Sequence, residues 1–346
     1  MNTSKKIPQI LFLLLASASL AYAFDPLPAK PPIPENNPML PAKIELGKQL
    51  YFDTRLSKDG SISCNSCHNL MAGGDDNNPN SAGVAGHRGK RSAPTVWNSA
   101  FLSVQFWDGR APSLEEQAKG PIVNPVEMGL DGHEIGTSRI KKIAGYLPAF
   151  QKAFPKEVKD TNDITIDRIT KAIAAYERTL ITSNSPVDLY LKGNKKALSP
   201  QAVRGMALVQ SVGCTSCHQG PIFAGPALPE GTGFYQKFPV FPGTEYEKKY
   251  KLTEDLGRFD VTKKDTDKNV WRVPTWRNVA LTAPYFHNGS VKTLQEAVKV
   301  MAKVQLNKDL KDDEVSDIVE FLNGLTGKFP EQKLPRLPET LDSTVF

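Results

Sequence analysis

Residues 63–70 read SCNSCHNL and residues 213–220 read GCTSCHQG. Each stretch contains two cysteines separated by two residues, with a histidine directly after the second cysteine. This motif is typical of c-type haem attachment, because the two thiols can add to the haem vinyl groups while the imidazole reaches the iron. The two copies therefore predict two covalently attached haem c groups. Their attachment residues would be Cys64, Cys67, His68, Cys214, Cys217 and His218.

Two other uses of these cysteines remain open from the motifs alone. The 346-residue chain has four cysteines, and an exported protein with four could form two disulfides. A Cys-x-x-Cys pair is also half of many zinc sites. Neither use requires a histidine directly after the second cysteine in both copies, so haem attachment explains more of the pattern.

The first 23 residues predict an export signal. MNTSKK supplies a positive start, IPQILFLLLASASL an apolar stretch, and AYA a small-residue cleavage site before Phe24. A membrane anchor is the alternative, but the apolar stretch is short and ends in small residues. We expect a cleaved signal peptide over residues 1–23, a mature protein in the periplasm, and no membrane span after cleavage.

The charge pattern does not point to nucleic acid. The formal net charge is +6, and it falls to +4 when Lys5 and Lys6 leave with the export signal. The remaining lysines are dispersed and are not interleaved with aromatic residues, as they commonly are on nucleic-acid-binding surfaces. We therefore expect the mature chain to bind no nucleic acid.

The spacing of apolar residues predicts a mainly α protein with long loops. Helical patterns occupy residues 41–52, 164–181, 202–210, 293–304 and 312–325. A helix precedes each Cys-x-x-Cys-His motif, which favours two cytochrome c-like domains with one haem each. We expect a first domain over residues 24–180 and a second over residues 181–328. A tail, residues 329–346, should pack back on the first domain.

The second haem needs a further axial ligand if its iron is closed. Met301 follows the second motif on a predicted helix, at about the distance at which single-haem cytochromes return a methionine to the iron. His287 is the rival ligand. A third interpretation is that Met301 simply shares a core face with Leu294 and Ala297, as helical methionines often do.

Two longer blocks carry a resemblance to a known family. Residues 86–129 read GHRGKRSAPTVWNSAFLSVQFWDGRAPSLEEQAKGPIVNPVEMG, and residues 273–290 read VPTWRNVALTAPYFHNGS. Both blocks resemble bacterial di-haem cytochrome c peroxidases, and the resemblance extends over essentially the whole mature chain. MauG-type relatives share the architecture but carry a tyrosine at the position of Met301, so the resemblance favours the peroxidase branch.

The resemblance implies different roles for the two haems. The first would be a low-potential peroxidatic centre, with His87 as a distal ligand that leaves the iron upon activation. Glu127 matches the family's catalytic glutamate and Gln117 a nearby glutamine. Trp107 matches the tryptophan between the haems. The second would be a high-potential centre where electrons enter, closed by Met301.

The resemblance also implies a calcium ion between the domains. In relatives it is bound partly by carbonyl groups that match Thr282 and Pro284. The family's usual asparagine before the sequence APT is Ser92 here, so this chain departs from the pattern at a position next to that ion.

As a whole, the resemblance implies an enzyme that reduces hydrogen peroxide to water. Its electrons would come from a small periplasmic c-type cytochrome or a similar donor, and the protein would be a homodimer. The same two haems would also suit a periplasmic electron carrier between inner- and outer-membrane partners, which is the alternative. Oxidation of another protein, as MauG performs, is a third possibility, which Met301 weakens.

Overall fold

In the computed structural model, residues 24–340 and 344–346 are described. The expected export signal, residues 1–23, lies outside the described residues. Within them the chain forms twelve α-helices and one two-stranded sheet, joined by long loops and short 3₁₀ turns. The expected mainly α class is therefore confirmed.

The first half of the chain packs six helices around one apolar core. They are α1 (Pro41–Phe52), α2 (Cys64–Cys67), α3 (Leu114–Val123), α4 (His133–Lys142), α5 (Tyr146–Ala153) and α6 (Ile166–Glu177). The core includes Leu50 of α1, Phe150 of α5 and Ile169 of α6, which are fully buried. The short helix α2 is the first Cys-x-x-Cys segment itself.

The second half builds a separate core. Its helices are α7 (Pro186–Leu191), α8 (Pro200–Val212), α9 (Glu245–Lys249), α10 (Phe259–Thr262), α11 (Leu294–Leu306) and α12 (Asp312–Asn323). Strands β1 (Tyr235–Lys237) and β2 (Val270–Arg272) pair antiparallel, with Gln236 opposite Trp271. The core includes Val209, Val300 and Phe321, so α8, α11 and α12 meet there.

Local signals explain where the helices before and after the motifs begin and end. The Ser199 side chain accepts a hydrogen bond from the Ala202 amide at the start of α8, and Pro200 occupies its first turn. Gly213, with φ of 106°, ends α8 in the left-handed conformation directly before Cys214. At α6 the Thr165 side chain caps the first turn. The predicted helices are confirmed, with ends shifted by these caps.

A glycine lets two helices touch in each half of the chain. A Cβ atom on Gly47 of α1 would lie 1.8 Å from the carbonyl oxygen of Ala172 on α6. A Cβ atom on Gly205 of α8 would lie 1.9 Å from the carbonyl oxygen of Asp317 on α12. No other residue type fits at such a distance, so both helix crossings depend on glycine.

The two crossings also share a register. The next neighbour of Gly47 on α6 is Tyr176, four residues after Ala172. The next neighbour of Gly205 on α12 is Phe321, four residues after Asp317. The helix before each motif therefore meets its partner helix in the same way, which supports a repeated unit more strongly than the sequence likeness alone.

Residues near each end of the described chain pack in the core of the opposite half. Phe24 packs against Phe223 and Phe321, with ring centroids 5.0 and 5.8 Å away, and so belongs to the second core. The expected first domain, residues 24–180, thus begins with residues that pack in the second half. At the other end, Val345 is buried in the first core, and Arg55 donates to the Pro338 carbonyl at 2.9 Å.

Replacing Gly47 with alanine tests the first crossing. We expect Gly47→Ala to lower the free energy of unfolding by about 2 kcal/mol or more, because the new methyl group cannot fit against the α6 backbone. Urea denaturation of the purified protein measures this change. Gly89→Ala is the control, since the nearest atom to its Cβ is 3.9 Å away. Equal stability of the two variants would contradict a tight crossing.

Candidate functional site

The first motif opens into a cavity of about 470 Å³, called here the first cavity. Its wall includes the side chains of Cys64, Cys67 and His68. Gln117 from α3, Glu127 from the turn after α3, and Trp107 from a loop line the same cavity. The fold therefore brings together residues from positions 64 to 127 that the sequence analysis assigned to one site.

His68 is held as a neutral imidazole with one free nitrogen. Its Nδ1 donates to the Pro94 carbonyl oxygen at 2.9 Å, which leaves the lone pair of Nε2 available to a metal. Burial lowers the pKa of His68, so the ring stays uncharged at neutral pH. The Tyr51 hydroxyl donates to the His68 carbonyl at 2.7 Å and fixes the backbone beside it.

Glu127 is a half-buried carboxyl group on the turn that follows α3. Burial raises the pKa of Glu127 above its ordinary value of 4.5, while the charge of Arg110 and a hydrogen bond from Asn124 oppose that rise. The Asn124 amide Nδ2 donates to Glu127 Oε1 at 2.9 Å. A carboxyl group in this setting binds a proton more tightly than an exposed one and can exchange it with a molecule in the first cavity.

The second motif opens into a cavity of about 430 Å³, called here the second cavity. Cys214, Cys217 and His218 line it. His218 Nδ1 donates to the Phe223 carbonyl at 2.9 Å, and burial lowers the pKa of His218 to about 4. As in the first cavity, the imidazole is neutral and Nε2 keeps its lone pair.

Both candidate ligands for the second iron line the second cavity. Met301 reaches it from α11, on the helix face that also carries Leu294 and Ala297. His287 is buried, and its ring stacks on Trp271 with centroids 4.1 Å apart. His287 Nε2 has no hydrogen-bond partner among the described residues. The structure thus places both candidate ligands, Met301 and His287, in the wall of the second cavity.

One segment of chain forms a wall shared by the two cavities. Residues 92–95 and Trp107 line both of them. Trp107 Nε1 donates to the Ser92 carbonyl at 2.8 Å, and the Pro94 carbonyl in the same segment accepts from His68. Trp107 is thus part of the wall that separates the two cavities.

The second half of the chain also covers the first cavity. Asp255, from the loop after α9, lines it together with Asp260 and Val261 of the short helix α10. Arg91 fixes this cover by donating to both carboxylate oxygens of Asp255, at 2.7 and 2.8 Å. The loop composition of this stretch gave no sign of that role, because the partner of Asp255 lies far away in the sequence.

His87 is the predicted site residue that stands apart. It is exposed, and it does not line the first cavity. Its carbonyl accepts from the Gly83 amide at 2.8 Å, so the backbone around it forms a closed turn. Within that turn Ala85 and Gly86 have φ of 54° and 74°. The structure therefore does not bring His87 to His68.

The three residues expected near a calcium ion line the cavities but offer few ligands. Ser92 lines both cavities, and Thr282 and Pro284 line the second. Ser92 Oγ is 3.5 Å from the Asn78 carbonyl, to which it donates. Calcium sites usually combine six to eight oxygen atoms and include carboxylates. One hydroxyl and two carbonyl groups do not make a tight calcium site.

Trp276 is a site residue that sequence reasoning missed. Its ring stacks on His218, with centroids 4.3 Å apart and an angle of 17° between the planes. It also lines the second cavity. The large side chain limits rotation of the imidazole, and its position three residues after Val273 in a loop gave no periodic signal by which it could have been found.

Comparison with known proteins agrees with this arrangement. A family model described as di-haem cytochrome c peroxidase matches residues 41–196. Cytochrome c551 peroxidase of Nitrosomonas europaea is 46% identical over 332 residues, which cover 96% of this chain and 93% of that protein. The chain belongs to the di-haem cytochrome c peroxidase family.

Further relatives extend the likeness to the whole fold. Cytochrome c551 peroxidase of Pseudomonas aeruginosa is 42% identical over 355 residues, covering 99% of both chains. A solved structure of a MauG-like protein associated with microbial copper homeostasis has a TM-score of 0.75 at 28% identity, over 87% of this chain and 95% of that one. For this di-haem cytochrome c peroxidase family member, the expected family and the expected class of enzyme, a peroxidase, are confirmed.

Proposed function

We propose that this protein reduces hydrogen peroxide to water at the first cavity, with electrons that enter through the second cavity. The observation that carries the proposal is the composition of the first cavity. It combines a neutral histidine, a carboxyl group with a raised pKa and an amide, which are His68, Glu127 and Gln117. The second cavity also contains two cysteines and a histidine, but the rest of its wall is mostly apolar.

Each cavity has the groups needed to hold one haem c. Two cysteines that form no disulfide within the described chain lie beside an imidazole whose Nε2 is free. Cys64 and Cys67 would form thioethers with the first haem, and Cys214 and Cys217 with the second. When bound, haem supplies an iron that can bind peroxide and can exchange single electrons.

Glu127 and Gln117 would handle the proton chemistry. Cleaving the O–O bond of peroxide requires moving a proton from the oxygen that stays to the oxygen that leaves. Glu127 can accept and return that proton because burial raises its pKa towards the working range. The Gln117 amide can donate to peroxide and orient it. The complete reaction uses two electrons and two further protons from solvent to form two waters.

Trp107 and its neighbours would form the route for electrons. Trp107 lines both cavities and is held by hydrogen bonds on two sides. Its ring donates to the Ser92 carbonyl, and its own carbonyl accepts from the Arg272 amide at 2.9 Å. A fixed aromatic ring between the two haem sites suits electron transfer between them.

The expected setting of the reaction is the periplasm, with a small c-type cytochrome or similar protein as the donor and a homodimer as the assembly. The named relatives are cytochrome c551 peroxidases, which supports a cytochrome donor. Among the described residues no helix is both long enough and apolar enough to cross a membrane. Calcium would bind only weakly near Ser92, Thr282 and Pro284, because they offer one hydroxyl and two carbonyl groups.

Replacing Glu127 with glutamine tests the proposed function. We expect Glu127→Gln to lower kcat for peroxide about 100-fold or more, because the amide cannot accept the proton. In the unaltered protein kcat/KM should fall as the pH drops through the raised pKa of Glu127, since only the carboxylate is a base. Stopped-flow oxidation of a reduced small cytochrome c measures both.

Glu134→Gln is the matched control, because it removes the same charge from an exposed position on α4. Its turnover should equal that of the unaltered protein. Negligible peroxide turnover in all three proteins, together with rapid electron exchange with the donor cytochrome, would favour the electron-carrier alternative instead.

Removing the His87 side chain tests whether this loop closes the first haem. We propose that His87 binds the first iron in the fully oxidised protein and that residues 82–88 must move for this to happen. His87→Gly should then be active without prior reduction, while the unaltered protein needs it. Electron paramagnetic resonance of the oxidised forms checks the ligand. Identical six-coordinate spectra in both proteins would exclude His87.

Replacing Met301 with histidine tests the second axial ligand. Methionine stabilises ferrous iron relative to histidine, so Met301→His should lower the reduction potential of the second haem. It should also remove the optical band of methionine-ligated ferric haem. Redox titration followed in the visible spectrum measures both. An unchanged potential, with a shift instead in His287→Ala, would assign His287 as the ligand.

A further inference from the structure

Glu177 is a buried carboxyl group in the first cavity that the proposed reaction does not use. It is the last residue of α6, is 6% exposed, and lines the cavity together with Cys64 and His68. Its Oε2 atom has no hydrogen-bond partner among the described residues. A buried carboxyl group without a partner is costly, so its presence calls for a physical explanation.

The charged and titratable groups around Glu177 do not supply that partner. Those close enough to act on its charge are Arg178 directly after α6, Glu115 on α3, Tyr51 on α1, Tyr176 on α6 and Cys64 on α2. Arg178 forms two hydrogen bonds with the Glu115 carboxylate, at 2.7 and 3.0 Å. The hydroxyls of Tyr51 and Tyr176 donate to the His68 carbonyl and to Gln332.

Burial therefore dominates the proton affinity of Glu177. It raises the pKa of Glu177 to about 8, against opposition from Arg178 and with a small contribution from Glu115. Glu127 differs, because Asn124 and Arg110 favour its charged form. Asp108, Asp255 and Asp260 also line the first cavity, and each forms an ion pair with Arg91. Among the carboxyl groups of this cavity, Glu177 is the one whose pKa burial raises to about 8.

The second half of the chain shows that packing does not require a carboxyl group here. The helix crossings at Gly47 and Gly205 place Ala172 and Asp317 at matching positions on α6 and α12. Five residues later in each helix come Glu177 and Leu322. Each lines the cavity of its own half, so the same position holds leucine where the second haem would bind.

We propose that at alkaline pH, where Glu177 is ionised in the oxidised protein, it takes up a proton when an electron reaches the first haem. The inference rests on the proposed haem in the first cavity. An added electron places a negative charge in a poorly solvated cavity, which strengthens proton binding by a nearby carboxylate. The balance is one electron from the donor protein by way of the second haem and one proton from water. The electron would reduce the haem iron, and the O–H bond of Glu177 forms as an O–H bond of a hydronium ion in the solvent breaks.

Proton uptake of this kind has a consequence for reduction potential. Glu177 binds its proton more tightly in the reduced protein than in the oxidised protein. The reduction potential of the first haem therefore falls as the pH rises from the pKa of Glu177 in the oxidised protein to its higher pKa in the reduced protein. The second haem has leucine at the matching position, so this carboxyl group gives it no such dependence. Residue 177 thus makes reduction of the two haems respond differently to pH.

Redox titration of the haem-loaded protein between about pH 6 and about pH 10 tests the inference. The proteins compared are the unaltered chain, Glu177→Gln and the exposed control Glu134→Gln. We expect Glu177→Gln to remove at least half of the pH dependence of the first potential and to leave the second unchanged. Equal pH dependence in all three proteins would overturn the inference.

Infrared difference spectra give an independent measurement. Reduction of the unaltered protein at about pH 9, where oxidised Glu177 is mostly ionised, should produce a carboxylic acid C=O band. That band should be missing in Glu177→Gln and in Glu177→Leu, which carries the residue used in the second half. A band of equal size in both variants would contradict the assignment. Neither measurement requires peroxide turnover, so a protein that fails as a peroxidase can still show this proton uptake.

Discussion

The close contact of two helix backbones at a glycine is the constraint on which both haem sites depend. Gly47 lets α1 touch α6, and Gly205 lets α8 touch α12. The contact holds the helix before each motif against its partner helix, and the partner helix supplies part of the cavity wall. Ile173 of α6 lines the first cavity and Ile318 of α12 lines the second. A side chain at either glycine would separate each motif from its wall.

The second constraint is the segment that both cavities share. Residues 92–95 accept hydrogen bonds from His68 and from Trp107 through carbonyl groups, and the Ser92 amide donates to the His287 carbonyl at 2.7 Å. One short piece of backbone is thus bonded to groups of both sites. A shift of this segment would move the proximal histidine of the first site and the tryptophan between the sites together, which makes it a direct physical link between them.

The sequence predicted what depends on short-range pattern. The helices, the cysteine motifs and the grouping of Gln117 and Glu127 follow from spacing or from local blocks of sequence. It did not predict two contacts between distant segments, those of Phe24 in the second core and of Asp255 over the first cavity. These contacts depend on which loops meet after folding, and loop composition carries little of that information. The position of His87 outside the first cavity also depends on how a loop folds, and the sequence did not predict it.

The differences between the two halves are chemical, because their helices cross in the same register. The first cavity has Glu127, Gln117 and Glu177 in its wall. The second has Met301 and Leu322 among mostly apolar neighbours. An apolar wall excludes water and reorganises little when charge moves, whereas carboxyl groups can bind and release protons. Substitutions on a common scaffold are therefore sufficient to give the two cavities different chemical surroundings.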